Sequence, residues 1–319
     1  MRDSLRQNVE LLIANDEVMR KAARRSFPEM SRLASLVMTM HGRTADAASI
    51  RACRKLVKTR CCLTSLFRGL LEPVVVARMS MADDAVAYFE EVSAVFETLR
   101  KGTRLAYPAQ LVSAMAICDQ CPPARRDEAA RRTVRAYDEA RAGRVFPIGS
   151  DDIPFVCLSV IAGRSVARLV AEAGRCHELA EVPSVASYAL ALSDRPAQEK
   201  ADSYWLLHLA LKDRGCAASD SHLRAMLCPF VDLEVPVAQL VDEVCEVDDV
   251  LGGTKGHLLS SGVRHAMAAA LVLSDHAGDL RLAPPGASAL GEATPGQAIE
   301  ALATTVLVAA KQASSTDHS

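Results

Sequence analysis

Residues 84–102 read DAVAYFEEVSAVFETLRKG, and residues 107–118 read YPAQLVSAMAIC. The first is an amphipathic helix of moderate length stopped at Gly102. The second is a shorter helix, apolar almost all round. The same two-part pattern returns along the chain. EAARRTVRAYDEARAG, ending at Gly143, precedes SDDIPFVCLSVIAG, and RSVARLVAEAGRCHELA precedes VPSVASYALALSD. AQEKADSYWLLHLALKDRG, ending at Gly215, precedes SDSHLRAMLCPFVD, and VAQLVDEVCEVDDVLGG precedes SSGVRHAMAAALVLSD. Gly102 to Gly143 is 41 residues, Gly143 to Gly215 is 72, and Gly215 to Gly252 is 37. This predicts five helical hairpins at a period of roughly 36–41 residues, the size range of helical solenoid repeats. No hairpin buries its apolar face alone, so neighbours must stack and share a core. The glycines suit the left-handed residue that follows a helix end, and Pro108 and Pro154 suit first turns, where a missing N–H costs little.

Composition agrees. Of 319 residues, 50% are hydrophobic but only 4% aromatic, with Trp205 the single tryptophan. The apolar residues are mostly Ala, Leu and Val, which let helices approach closely, and strand-length apolar/polar alternation is hard to find. The expected fold is all-α, a stacked or closed array of roughly 12–14 helices. Residues 1–80 form a basic helical region of three or four helices packing on the hairpins. Residues 81–278 are the hairpin region. Residues 279–319 are a linker, an Ala-rich helix over 298–313 and a frayed SSTDHS tail, all within one continuous domain. The N-terminus has no uninterrupted apolar stretch, and no run nears the roughly 18 apolar residues of a membrane span. The expectation is a soluble cytoplasmic protein with no membrane partner.

Charge is uneven. Residues 1–80 hold 15 Lys/Arg and 7 Asp/Glu, a net of +8, and the remaining 239 hold 22 and 32, a net of −10. Arg51, Arg54, Lys55 and Lys58 form a basic stripe opposite the apolar stripe of Ile50, Cys53 and Val57. Such a stripe can bind phosphate, including that of nucleic acid. A solvated face is the stronger expectation, because no aromatic residues interleave for base stacking. An unknown protein ranks first among partners, and oligomeric state is open.

Ten cysteines suit free thiols, most on apolar helix faces. CDQC at 118–121 lacks the second pair a zinc site needs, and no HExxH, P-loop or dinucleotide fingerprint occurs. No cofactor, metal or nucleophile–base pairing is expected.

SLFRG at 65–69, YPAQLVSAMAI at 107–117, FPIGSDD at 146–152, SYALALSD at 187–194 with EK at 199–200, EVDDVL at 246–251, and Arg264 before an apolar run together resemble a bacterial all-helical family catalogued only as a domain of unknown function. The resemblance spans most of residues 1–275 and implies a fold but no chemistry. The family pattern places threonine and serine before the paired aspartates, where this chain has Ile148 and Gly149. A glutamine near the third hairpin is replaced by Ser184.

The candidate polar cluster is Ser65, Arg68, Asp151, Asp152 and Arg264. In the blander interpretation Ser150 caps a helix and the two aspartates are its first-turn acids. In the sharper one, Arg68, set among LTSLF and GLLEPVVV, is buried and takes an aspartate as its partner. A phosphate or carboxylate ligand is the functional alternative, since a guanidinium matches both bidentately. The leading functional expectation is a scaffold or interaction module without catalysis; the alternative is a ligand binder or enzyme with a pocket around Arg68 and Asp151/Asp152.

Overall fold

The computed structural model describes residues 1–23, 28–103, 107–143, 145–218, 220, 222–254, 259–278, 289–291 and 294–316. These residues form helices and no strands. The elements are α1 (Asp3–Ala22), α2 (Pro28–Met40), α3 (Ala47–Arg60), α4 (Glu72–Met81), α5 (Ala85–Thr103), α6 (Pro108–Gln120) and α7 (Pro123–Gly143). They continue with α8 (Ile153–Ile161), α9 (Val166–Ala180), α10 (Ser184–Ala191), α11 (Ala197–Asp213), α12 (Val237–Gly253), α13 (Ser261–Asp275) and α14 (Pro295–Thr316). Short 3-10 stretches lie at Leu66–Arg68 and Ser150–Asp152, and a longer one at Leu223–Asp232.

The two-part sequence pattern becomes two layers. The apolar helices are swallowed whole: every residue of α8 is buried, and all but Asp119 of α6. Their partners bury one face only. In α7 that face is Ala129, Ala130, Thr133 and Tyr137, with Arg and Glu covering the rest. A helix apolar all round must be enclosed, whereas an amphipathic one can line the outside. Each Leu, Ile, Val or Phe fully enclosed contributes about 1.5–3 kcal/mol of hydrophobic stabilisation, so the inner layer carries most of the core.

Consecutive pairs α5/α6, α7/α8, α9/α10 and α12/α13 are the expected hairpins, and their outer members follow one another, α5 on α7 and α9 on α11. The second arm of the fourth hairpin is the 3-10 helix Leu223–Asp232, not an α-helix. Pro229 inside it removes one backbone donor. The N-terminal region supplies two further pairs, α1/α2 and α3/α4. The array closes on itself, because α1 packs on α12 and α13, and α2 packs on α13.

α14 contains the Ala-rich helix expected over 298–313. It packs on α2, α6, α8, α13 and the long 3-10 helix, with Ile299, Leu302, Val306 and Leu307 buried. Most of the 279–294 linker lies outside the described residues. Its last described part is anchored, with the Leu290 amide donating to the Ile161 carbonyl at 2.8 Å. At Gly291 any Cβ would stand 2.1 Å from the Gln120 carbonyl oxygen, so only glycine fits that approach.

Gly102 corrects another expectation. It lies inside α5, where an added Cβ would meet Val134 Cγ1 at 2.4 Å. Close packing of α5 on α7, rather than left-handed backbone, requires it. Gly42 and Gly215 do adopt positive φ, at 60° and 73°. No helix among the described residues is long and apolar enough to cross a membrane.

Candidate functional site

A cavity of about 610 Å³ opens where α8 ends, α9 begins and the α10–α11 connection passes over both. Ser159 comes from α8 and Ser165 caps α9. Leu169, Glu172 and two arginines line it from α9, and residues 193–197 close the other side. Its volume falls in the range of small-molecule sites. Arg164, Arg168, Arg175 and Arg195 converge on it against Glu172 and Asp194. Four guanidiniums against two carboxylates leave two formal positive charges.

Local sequence explains the placement. Gly163 turns the chain out of α8 at φ 68°, and Ser165 accepts the Arg168 amide at 3.3 Å to start α9. Arg168 and Arg175 are seven residues apart, and Glu172 lies between them on the same helical face. Beneath this face Lys200 is wholly enclosed. Its Nζ donates to Glu172 Oε1 at 2.6 Å and to the Ser193 carbonyl at 3.3 Å. Arg175 donates to the same carboxylate, with Nε at 2.9 Å from Oε2. Burial pushes the Glu172 carboxyl up, but the bonds from Lys200 and Arg175 outweigh it and hold it below its ordinary value. Glu172 is thus committed to two cations.

The other wall is also tied down. Ser193 Oγ donates to Asp232 Oδ1 and accepts the Arg195 amide at 3.2 Å. Burial raises the Asp232 carboxyl, with Ser193, Arg195 and Lys200 opposing. Arg164 Nη1 donates to the Leu192 carbonyl at 2.8 Å. Burial pulls the Arg164 guanidinium below its ordinary value; Asp194 and Asp232 support its charge and Arg168 opposes it. Arg168 is exposed and has no ion-pair partner among the described residues. The site is a rigid cleft with unspent positive charge.

The residues predicted from sequence lie elsewhere and are not brought together. Arg68 is not in an apolar helix. It ends a 3-10 turn, half-buried, and its Nη1 reaches the Cys61 carbonyl at 3.3 Å. Ser65 caps that turn, accepting the Phe67 amide at 3.3 Å, while Phe67 packs edge-on against Phe89 and Phe96. The expected pairing of Arg68 with Asp151 or Asp152 is therefore overturned, because a turn that exposes the arginine lets a backbone carbonyl and solvent satisfy it.

Ser150 does not cap α8. It opens a 3-10 turn, and Asp152 Oδ2 accepts the Gly149 amide at 2.7 Å just before α8 begins. Burial pushes the Asp152 carboxyl up to about 7; the Gly149 amide and Ser184 pull it down and Asp151 pushes it up. Gly149 and Ser184, two positions where this chain departs from the family pattern, thus act on one carboxyl. Burial also raises Asp151, with His222 opposing. Arg264 forms a bidentate pair with Asp248, at 2.8 and 2.9 Å, joining the EVDDVL helix α12 to α13.

Of the basic stripe, Arg54 pairs with Glu72 at 2.7 Å and Arg51, Lys55 and Lys58 are exposed. Cys118 and Cys121 are buried, and burial pushes their thiols up to about 12 and about 11. No group of three or more potential metal ligands gathers among the described residues.

A second polar cluster docks α14. Arg78 bonds Asp119 and His41 and lies 3.3 Å from Glu300, while His41 Nε2 is 2.7 Å from Glu300 and Tyr88 donates to Asp119 at 3.0 Å. Burial disfavours the Arg78 charge, but Glu300, Tyr88 and Asp119 outweigh it and hold it protonated.

Sequence reasoning missed Arg164, Arg168 and Glu172, which share the stretch RSVARLVAEAGRCHELA, and Arg195, which follows SYALALSD. One signal was present: Ser193, Asp194 and Lys200 belong to the SYALALSD…EK motif that carried the family resemblance. No curated protein and no solved structure matches the chain. One family model does, over residues 16–313, and across that span the chain belongs to the family described as "Protein of unknown function (DUF4003)".

Proposed function

We propose that this protein binds a small anionic molecule, bearing phosphate or carboxylate groups, in the cleft between α9 and the α10–α11 connection. The observation that carries this is the convergence of four arginines, with only two carboxylates, on a cavity of about 610 Å³. Glu172 is occupied by Lys200 and Arg175, so it is not available to Arg168, which is exposed on the same helix. Guanidinium forks match carboxylate and phosphate oxygens bidentately. We rank this above an interaction module because α14 fills the middle of the array, where an open solenoid would offer its concave surface. We read the chain as one structural unit, supported by α1 packing on α12 and α13, and place it in the cytoplasm on the strength of ten unpaired cysteines.

The test is calorimetric titration of the full chain with citrate, inorganic phosphate and pyrophosphate, alongside Arg168→Ala and Arg195→Ala. Binding that weakens at least tenfold in either variant supports the proposal. Binding of none of the three, or binding indifferent to both arginines, sinks it.

A further inference from the structure

The outer helices of the array face solvent, and α7 does so with no large apolar side chain exposed. α11 breaks that pattern. Leu206 and Leu209 on it are 59% and 50% exposed. Asp202 and Asp213 continue the same exposed stripe on either side of them, at helical spacing. Trp205 stands beside Leu206, half-buried, and its indole Nε1 donates to the Ala180 carbonyl at the end of α9 at 3.0 Å. Leu179, the residue before Ala180, is 43% exposed. One exposed leucine is ordinary, but apolar residues grouped on an outer face mark a surface that something covers.

Charge decides what covers it. Along α11 the exposed acids Glu199 and Asp202 precede the leucines, and Lys212, Asp213 and Arg214 follow them. The first end carries a formal −2 and the second +1. Arg214 is bonded to Asp242, whereas Glu199 and Lys212 have no ion-pair partner among the described residues. Two copies of α11 laid antiparallel would cover each other's leucines and set the acidic end of each on Lys212 of the other. A parallel pairing would set Glu199 and Asp202 on their own copies. The antiparallel order also brings each helix N-terminus to the other's C-terminus, which the helix dipoles favour. A two-fold axis near Leu206 and Leu209 makes the contact self-complementary, as in most closed dimers. An anionic lipid surface is the wrong occupant, because Glu199, Asp202 and Asp213 flank the leucines.

We infer that a second copy of this chain covers the patch, in an antiparallel two-fold dimer with Leu206, Leu209 and Leu179 at its centre and Lys212 of each copy facing Glu199 and Asp202 of the other. The inference is independent of the anion-binding proposal. The apolar patch is small beside the about 1,200–2,000 Å² that stable interfaces bury, so the dimer should dissociate on dilution through the micromolar range.

Sedimentation velocity on the full chain, at concentrations from about 1 to about 300 μM, tests this. The expected result is a monomer–dimer equilibrium whose dissociation constant rises roughly tenfold or more in Leu206→Glu and in Leu209→Glu, because each places two carboxylates at the dimer centre. Every substituted residue is exposed, so folding should survive, and thermal melts verify it. Charge reversal reads the orientation. Lys212→Glu, and Glu199→Lys combined with Asp202→Lys, should each weaken self-association by about threefold or more, since both homodimers set like charges together. When mixed, the two variants should form heterodimers in preference to either homodimer, because opposite charges then face at both ends. A chain monomeric throughout, or a dimer indifferent to both leucine changes, overturns the inference. So does a leucine-dependent dimer whose charge-reversed variants pair no better with each other than with themselves, because its helices are not antiparallel.

Discussion

Lys200 faces Glu172 at 2.6 Å across α11 and α9, and the lysine is wholly excluded from solvent. The pair is asymmetric. Glu172 has a second cation in Arg175, whereas Lys200 has no second carboxylate and donates otherwise to the neutral Ser193 carbonyl. Removing the acid therefore strands a buried ammonium, which costs about 3–5 kcal/mol. Removing the lysine leaves the acid still paired. Urea unfolding should show Glu172→Ala to be clearly more destabilising than Lys200→Met. Equal losses, or the reverse order, would mean Lys200 finds other solvation when the carboxylate is gone.

Asp152 should give the protein a stability that declines with rising pH. Its folded carboxyl is raised to about 7 by burial, while an unfolded aspartate titrates near ~3.9. The folded chain binds the extra proton between these values, so stability falls as pH rises through that window and levels off above about 7. Asp152→Asn keeps an oxygen for the Gly149 amide and carries no charge. Its advantage over the parent should grow between pH 5 and pH 8, by an amount of order 1–4 kcal/mol. A difference between the two that does not change with pH would show that Asp152 titrates normally.

Arg78 pins α14 to α4 and α6 through Glu300 and Asp119. Arg78→Met leaves both acids enclosed without their cation, a loss of about 3–5 kcal/mol. Amide hydrogen exchange should show α14 losing protection ahead of α6 and α8. Uniform loss across all three helices would mean that α14 does not separate from the core on its own.

Arg68→Met should be mild, below about 1 kcal/mol, because a half-exposed guanidinium on one carbonyl contributes little. Combined with Asp152→Ala it should be additive to within about 0.5 kcal/mol. A larger coupling would restore the pairing expected from the sequence.

The all-helical class, the succession of hairpins in residues 81–278 and the all-round apolar character of one arm of each were legible in the chain alone. That information is local: apolar residues all round a helix demand enclosure, and a one-sided pattern such as α7 demands a single wet face. Tertiary structure alone decided where the ends meet. α1 closes onto α12 and α13, and α14 enters the middle, because apolar surface is non-directional and does not name its partner. The candidate site was hidden by the same fact. Ser159, Arg168, Asp194 and Lys200 are unremarkable in their own stretches, and become a site only when the turn at Gly163 and the α10–α11 connection set them around one cavity. Arg68 and the paired aspartates looked like partners on composition, but Arg68 and Asp152 each bond nearby backbone instead: the Cys61 carbonyl for Arg68, the Gly149 amide for one oxygen of Asp152. A polar group in a turn has local partners within reach, and ordering those costs less than holding two distant segments together.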